Sequence, residues 1–267
     1  VADGGTAEGT VINTGGFQYV DAGGTATDTV ITGGYQFIGG SASGTTVGGG
    51  QSEGGGVSTG ATVQSGGAQH VSYGGSAIGT TVEAGGFQAV YNGTVTDTHL
   101  GGDQQVQAGG VAIHTLIASG ATAYIGTGGT TDGTVIDAGG LQYLAAGSTS
   151  TDSVVNGGFE YVGGTANSTT VDGGGTQYVG SGGVANDTHV VSGTEYVEAG
   201  GTANGVDFEG TAGILVLKSP SSLTGTISNF ELGDTIDLVD ISVTSFDFDG
   251  SSLTLSTSGG NFSYQFA

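Results

Sequence analysis

Gly15-Gly16-Phe17-Gln18-Tyr19-Val20-Asp21-Ala22-Gly23-Gly24-Thr25-Ala26-Thr27-Asp28-Thr29-Val30-Ile31 is one period of a pattern that recurs along most of this 267-residue chain. Its first part, G-x-Q-x-V, returns eleven times. The glutamine position runs through Gln18, Gln36, Gln51, Gln69, Gln88, Gln104, Ala123, Gln142, Glu160, Gln177 and Glu195, a period of about 18 residues. Its second part, T-A-x-x-T-x-V, returns for example as Thr165-Ala166-Asn167-Ser168-Thr169-Thr170-Val171. Each period therefore holds three short extended pieces separated by glycine-rich corners, where positive φ suits glycine. A unit this short buries its apolar side only by stacking on its neighbours, so the period predicts an all-β, triangular parallel β-helix of about eleven coils.

Comparing the repeats with one another separates inward from outward positions. One aliphatic column runs from Val20 and Ile38 through Val71, Val90, Val106, Ile125, Leu144, Val162 and Val179 to Val197, broken by Glu53. A second runs from Ile12 and Ile31 to Val190 and Phe208, and a third holds small residues such as Ala26, Ala42, Ala77, Thr149 and Ala166. Strand alternation turns the Gln column inward too, where stacked amides form a ladder. The same parity buries Thr29, Thr45, Thr80, Thr98 and their equivalents, whose hydroxyls are expected to find partners at the corners. Between these inward positions the chain is aromatic. Tyr19, Phe37, Tyr124, Tyr143, Tyr161, Tyr178 and Tyr196 share one outward position and form a candidate binding stripe, with a purely stabilising ladder as the plainer reading.

Composition excludes several function classes. Sixty glycines stand beside one proline and no cysteine, methionine or tryptophan, and Lys218 is the one basic side chain against 24 acidic ones, a formal charge of −23. Such a chain cannot release phosphate counterions, which excludes nucleic acid, and an anionic membrane surface repels it. Without cysteine there is neither a disulfide framework nor a thiolate metal site. No run of 18 apolar residues predicts a transmembrane helix, the start at Val1 without a basic or apolar leader reads as that of a mature or excised product, and the small, polar, acidic composition suits an extracellular protein.

Beyond residue 210 the period fails and the sequence becomes more apolar, still with strand alternation around Ile214–Leu217, Leu223–Ile227 and Phe246–Phe248. Residues 1–210 are thus expected to form the repeat solenoid, and 211–267 a C-terminal β cap continuing it, covering the open last coil. Glu231, Asp234, Asp237 and Asp240 make the densest acidic stretch and the best candidate for a Ca²⁺ ion, with no other cofactor implied. His99 and His189 occupy equivalent outward positions several turns apart, and read as solvent-facing strand residues rather than as a shared metal site. Asp28, Asp97, Asp152 and Asp187 read as turn residues. Polysaccharide lyases use cationic groups that one lysine cannot supply, and the paired carboxylates of a glycoside hydrolase would arise only by accident, from Glu160 and nearby acids, so no enzyme is expected.

The tandem pattern, from residue 4 to 208, resembles the AIDA-type repeats of self-associating autotransporter adhesins. Leu223-Thr224-Gly225-Thr226-Ile227 with Gly233-Asp234-Thr235-Ile236-Asp237-Leu238 looks like a module that often follows such repeats in secreted proteobacterial proteins. The resemblance implies a right-handed β-helix at the bacterial cell surface that acts in adhesion, aggregation and biofilm, sometimes with sugars on Ser or Thr. No stretch is patterned as the translocating barrel of an autotransporter. The expected partner is a second copy of the chain, through lateral faces. A passive stalk displaying another domain, or a module binding surface glycans through the aromatic stripe, are the alternatives.

Overall fold

The computed structural model describes residues 1–267. It is an all-β parallel solenoid of about thirteen turns whose one helical element is the 3-10 turn Pro220–Ser222. The chain divides into two compact units, Val1–Val135 with Gly139–Gln142, and Ile136–Ala138 with Tyr143–Ala267.

In the first unit the strands Phe17–Val20, Thr25–Thr27 and Val30–Ile31 pair in parallel with Tyr35–Ile38, Ser41–Ser43 and Thr46–Val47 of the following turn. The register keeps like on like: Gln18 faces Gln36, Val20 faces Ile38, Ala26 faces Ala42 and Ile31 faces Val47. Stacking in register converts each sequence column into a spatial one, and the aliphatic columns are buried throughout. The corner between the second and third strands has positive φ at Gly9, Asp28, Gly44, Gly60, Gly79, Asp97, His114 and Gly133. Asp28 and Asp97 are therefore corner residues, which aspartate tolerates better than most side chains.

The buried threonines depart from expectation. Their partners are not at the corners but in the glutamine column across the core: Thr29 Oγ1 donates to Gln18 Oε1 (3.3 Å), Thr45 to Gln36 (3.4 Å) and Thr80 to Gln69 (3.3 Å). A coil this narrow lets one glutamine span it. Each amide also donates to the glutamine of the preceding turn, from Gln36 to Gln18 (2.7 Å), Gln51 to Gln36 (2.8 Å), Gln69 to Gln51 (3.0 Å), Gln88 to Gln69 (2.7 Å) and Gln104 to Gln88 (2.7 Å).

The ladder stops at Ala123, which lies beside Gln104. Gln104 Oε1 and Thr134 Oγ1 are consequently buried without a partner. Because an orphaned buried polar atom costs roughly 1–3 kcal/mol, Ala123→Gln is expected to stabilise the chain by about 1–2 kcal/mol. A urea unfolding midpoint at or below that of the parent would show that the gap is not an unfilled ladder site.

In the second unit the long strands are Phe159–Val162, Thr176–Val179 and Thr194–Val197, followed by Ile214–Leu217 and Thr235–Leu238 in the same parallel register. The last two supply the turns beyond the eleven that the glutamine count gives. They escape that count because Leu215 and Ile236 stand at the glutamine position, and Leu217 and Leu238 at the valine position. The small-residue column also differs at one point: Ser150, not Thr149, faces Ala166 and is buried. The positive-φ corner at Asp152 sets this register, two residues after Ser150 as Asp28 is two after Ala26. Beyond Leu238 an antiparallel run follows, Val243–Phe248 against Ser252–Thr257 and that strand against Gly260–Phe266, and the last strand also pairs in parallel with Leu223–Ser228.

Candidate functional site

The outward face of the long strands presents the aromatic residues. In the first unit Tyr19 and Phe37 are neighbours with ring centroids 6.2 Å apart and planes tilted by 45°. Ser52, His70, Ala89 and Gln105 then occupy the same column before Tyr124 restores an aromatic ring. In the second unit four rings stack without a gap. Tyr143 and Tyr161 lie 4.6 Å apart at 1°, Tyr161 and Tyr178 5.6 Å at 15°, and Tyr178 and Tyr196 4.9 Å at 8°.

Stacked this way, the rings cover one another's faces and present edges and hydroxyls to solvent. The Tyr178 hydroxyl donates to Glu198 Oε2 (2.5 Å), and that hydrogen bond pushes its pKa up to about 12. Val216 follows Tyr196 in the column, and Lys218 lies near it, its pKa raised by Tyr196 and Glu198. Sugar recognition by stacking needs an open ring face. Within the two outward aromatic columns of these strands, the most open rings are Phe17 (66 % exposed) and Tyr19 (59 %) in the first turns; outside them Tyr73 is more exposed at 85 %.

The acidic stretch is arranged differently from a cation cage. Asp234 accepts from the backbone N–H of Gly213 (3.1 Å) and of Glu231 (2.9 Å), tying one turn to the next. Asp237 lies on the strand Thr235–Leu238, and Asp240 holds a positive-φ position beyond it. Converging ligand atoms occur instead at His189, Asp207 and Glu209. His189 Nδ1 lies 2.9 Å from Glu209 Oε1 and 3.7 Å from Asp207 Oδ2. His99, its repeat equivalent, has Thr81 and Leu116 as column neighbours and no carboxylate there. The sequence shows the two histidines as equivalent outward strand residues and does not by that comparison reveal a carboxylate beside either. Laying the last, irregular repeat beside its predecessor would have put Asp207 next to His189, as the strands do.

Three carboxyls are sealed inside the core. Glu53 occupies a valine position between Ile38 and Val71, and Glu160 and Glu195 occupy glutamine positions. Burial pushes Glu53 and Glu195 up to about 8 and raises Glu160 in the same direction. Strongly perturbed acids often mark catalysis, but these three are fully buried, Glu53 and Glu160 bonded to the ladder and Glu195 accepting from Thr188 (3.3 Å). Gln69 donates to Glu53 (2.9 Å), and Gln177 to Glu160 (2.8 Å).

This geometry has a solved counterpart in a fragment of TibA, residues 55–350, hyper-glycosylated by TibC catalysis. The two chains are 35% identical over 87% of this chain and 94% of that one, with a TM-score of 0.69. The chain belongs to the AIDA-type autotransporter adhesin passengers. Like that AIDA-type relative it is a non-enzymatic, structural β-helix, an adhesin-like scaffold. The Dettilon tailspike protein matches at 11% identity over 94% of this chain and 70% of its own with a TM-score of 0.21, too low to speak to the fold. No family model and no curated protein matches the chain. It contains no helix long and apolar enough to cross a membrane.

Proposed function

We propose that this AIDA-type solenoid works outside the cell or on its surface as an adhesin that associates with further copies of itself, side by side through its outward faces. The observation that carries the reading is the regularity of those faces. They repeat in register as polar and aromatic ladders, among them Asn167, Asn186 and Asn204, with Asn186 Nδ2 donating to Asn167 Oδ1 (2.9 Å) and Asn204 Nδ2 to Asn186 Oδ1 (3.3 Å). Two such arrays meeting laterally repeat one modest contact many times over. The exposed antiparallel strands at the end of the second unit serve as the cap that stops further turns from stacking there.

With a formal charge of −23, copies repel one another at low salt. Association is expected to strengthen as salt screens that repulsion, or as Ca²⁺ bridges carboxylates such as those of Glu231, Asp237 and Asp240. Sedimentation of the unmodified chain across concentration, at low and high salt and with Ca²⁺, checks this. Concentration-dependent oligomers that grow with salt support homotypic adhesion. A monomer under every condition overturns it in favour of a stalk that displays another domain, or of glycan binding at Phe17 and Tyr19. Sugars like those on the TibA fragment would occupy the same outward Thr and Ser columns, so the unmodified chain reads association by itself.

A further inference from the structure

We propose that His189, Asp207 and Glu209 form a binding site for one divalent transition-metal ion of the zinc class. Their ligand atoms all lie within 4.8 Å of one another. Tetrahedral zinc with bonds of about 2.0–2.1 Å needs ligand atoms about 3.3 Å apart. The two separations from His189 Nδ1, 2.9 and 3.7 Å, bracket that spacing. An imidazole nitrogen beside two carboxylates selects a borderline ion over Ca²⁺ or Mg²⁺, which take oxygen.

The site is also held in place. His189 and Asp207 are direct neighbours on the adjacent parallel strands Val184–Val190 and Thr202–Phe208. Asn229 Nδ2 donates to Asp207 Oδ1 (2.7 Å), which leaves Oδ2 turned toward the imidazole. Metal carboxylates are oriented by hydrogen bonds of this kind from outside the ligand set. His189 and Asp207 line a cleft of about 480 Å³ together with Asp187, Asn204, Thr226 and Ser228, and Glu209 is exposed beside them, so the ion can enter and keep water on its open side. His189 and Asp207 are only about a third exposed, and the surplus of negative charge draws cations to the surface.

The test titrates Zn²⁺ into the full chain while the ring resonances of its four histidines are followed by NMR, with Ca²⁺ present in large excess. Saturable one-to-one binding that moves His189 and leaves His70, His99 and His114 in place is expected. His189→Ala and Asp207→Asn are each expected to weaken binding at least tenfold, Asn229→Ala to weaken it less, and His99→Ala to leave it unchanged. No saturation of the His189 shift, displacement by Ca²⁺, or undiminished binding in His189→Ala would overturn the proposal. The wild-type titration decides the matter alone should a variant fail to fold.

Discussion

Raising the pH from about 5 to about 9 is expected to lower the stability of the folded chain by several kcal/mol, with the melting midpoint highest near about pH 4–5. The cause is the set of buried carboxyls. Glu53 and Glu195 carry pKa values of about 8 against an ordinary 4.5, and Glu160 is raised the same way, in each case first of all by burial. Between those two values the folded chain keeps protons that the unfolded chain releases. Their contribution is fully present below about pH 4.5 and is lost as pH rises through about 8, at about 1.4 kcal/mol per pH unit for each proton held. Asp172 and Asp249 act in the opposite sense, lowered by bonds from Ser192 and from the backbone of Ser251, so their contribution is lost as pH falls. Both sit at the surface, where such terms are small.

Repulsion among the surface acids also grows with pH, so variants are needed to locate the effect. Glu195→Gln supplies the amide that the ladder uses elsewhere, and Glu53→Val restores the aliphatic column between Ile38 and Val71. The double variant is expected to melt well above the parent at pH 8 and close to it at pH 4.5. A double variant that keeps the parent's pH slope would place the cause in surface charge instead.

These acids also mark how far the sequence could be read. The columns Val20–Val197 and Ile12–Phe208 were legible because stacking in register makes one rule hold at every turn, and a break such as Glu53 stands out against it. The hydroxyl partners were not legible, since the Thr29 to Gln18 bond crosses the core between different strands and depends on how narrow the coil is. The two turns after residue 210 are legible only as an irregular continuation, because the buried Leu215 and the half-buried Ile236 stand where the glutamine signature would be. The aromatic column was legible as a column. That Tyr143, Tyr161, Tyr178 and Tyr196 cover one another's faces follows from ring planes within 15° of parallel, which spacing alone does not give. The His189 group was hidden because Asp207 and Glu209 fall in a repeat whose own pattern has decayed.

The glycine pairs carry the second large effect, and they separate two reasons for glycine that sequence treats as one. At Gly66 φ is +80° and no atom lies within 4 Å of where a Cβ would stand, so Gly66→Ala is expected to cost only the left-handed backbone penalty of about 1–2 kcal/mol. At Gly67 a Cβ would fall 1.9 Å from the carbonyl oxygen of Val47, the oxygen that accepts the N–H of Gln64 at 2.9 Å. Backbone cannot yield as a flexible side chain does, so Gly67→Ala must spread adjacent turns and break ladder hydrogen bonds, a loss on the order of 3–5 kcal/mol. Urea unfolding followed by circular dichroism compares the two. Equal losses would mean that the second glycine is there for its dihedral angles and not for lack of room. The same close approach recurs at Gly110 against Val90 O (2.3 Å) in the first unit and at Gly183 against Val162 O (2.0 Å) in the second. Gly183→Ala is therefore expected to match Gly67→Ala, because its Cβ would meet a backbone oxygen of the preceding turn just as closely, whereas turns that carry Ala121 or Ser148 at the equivalent corner accommodate a buried Cβ.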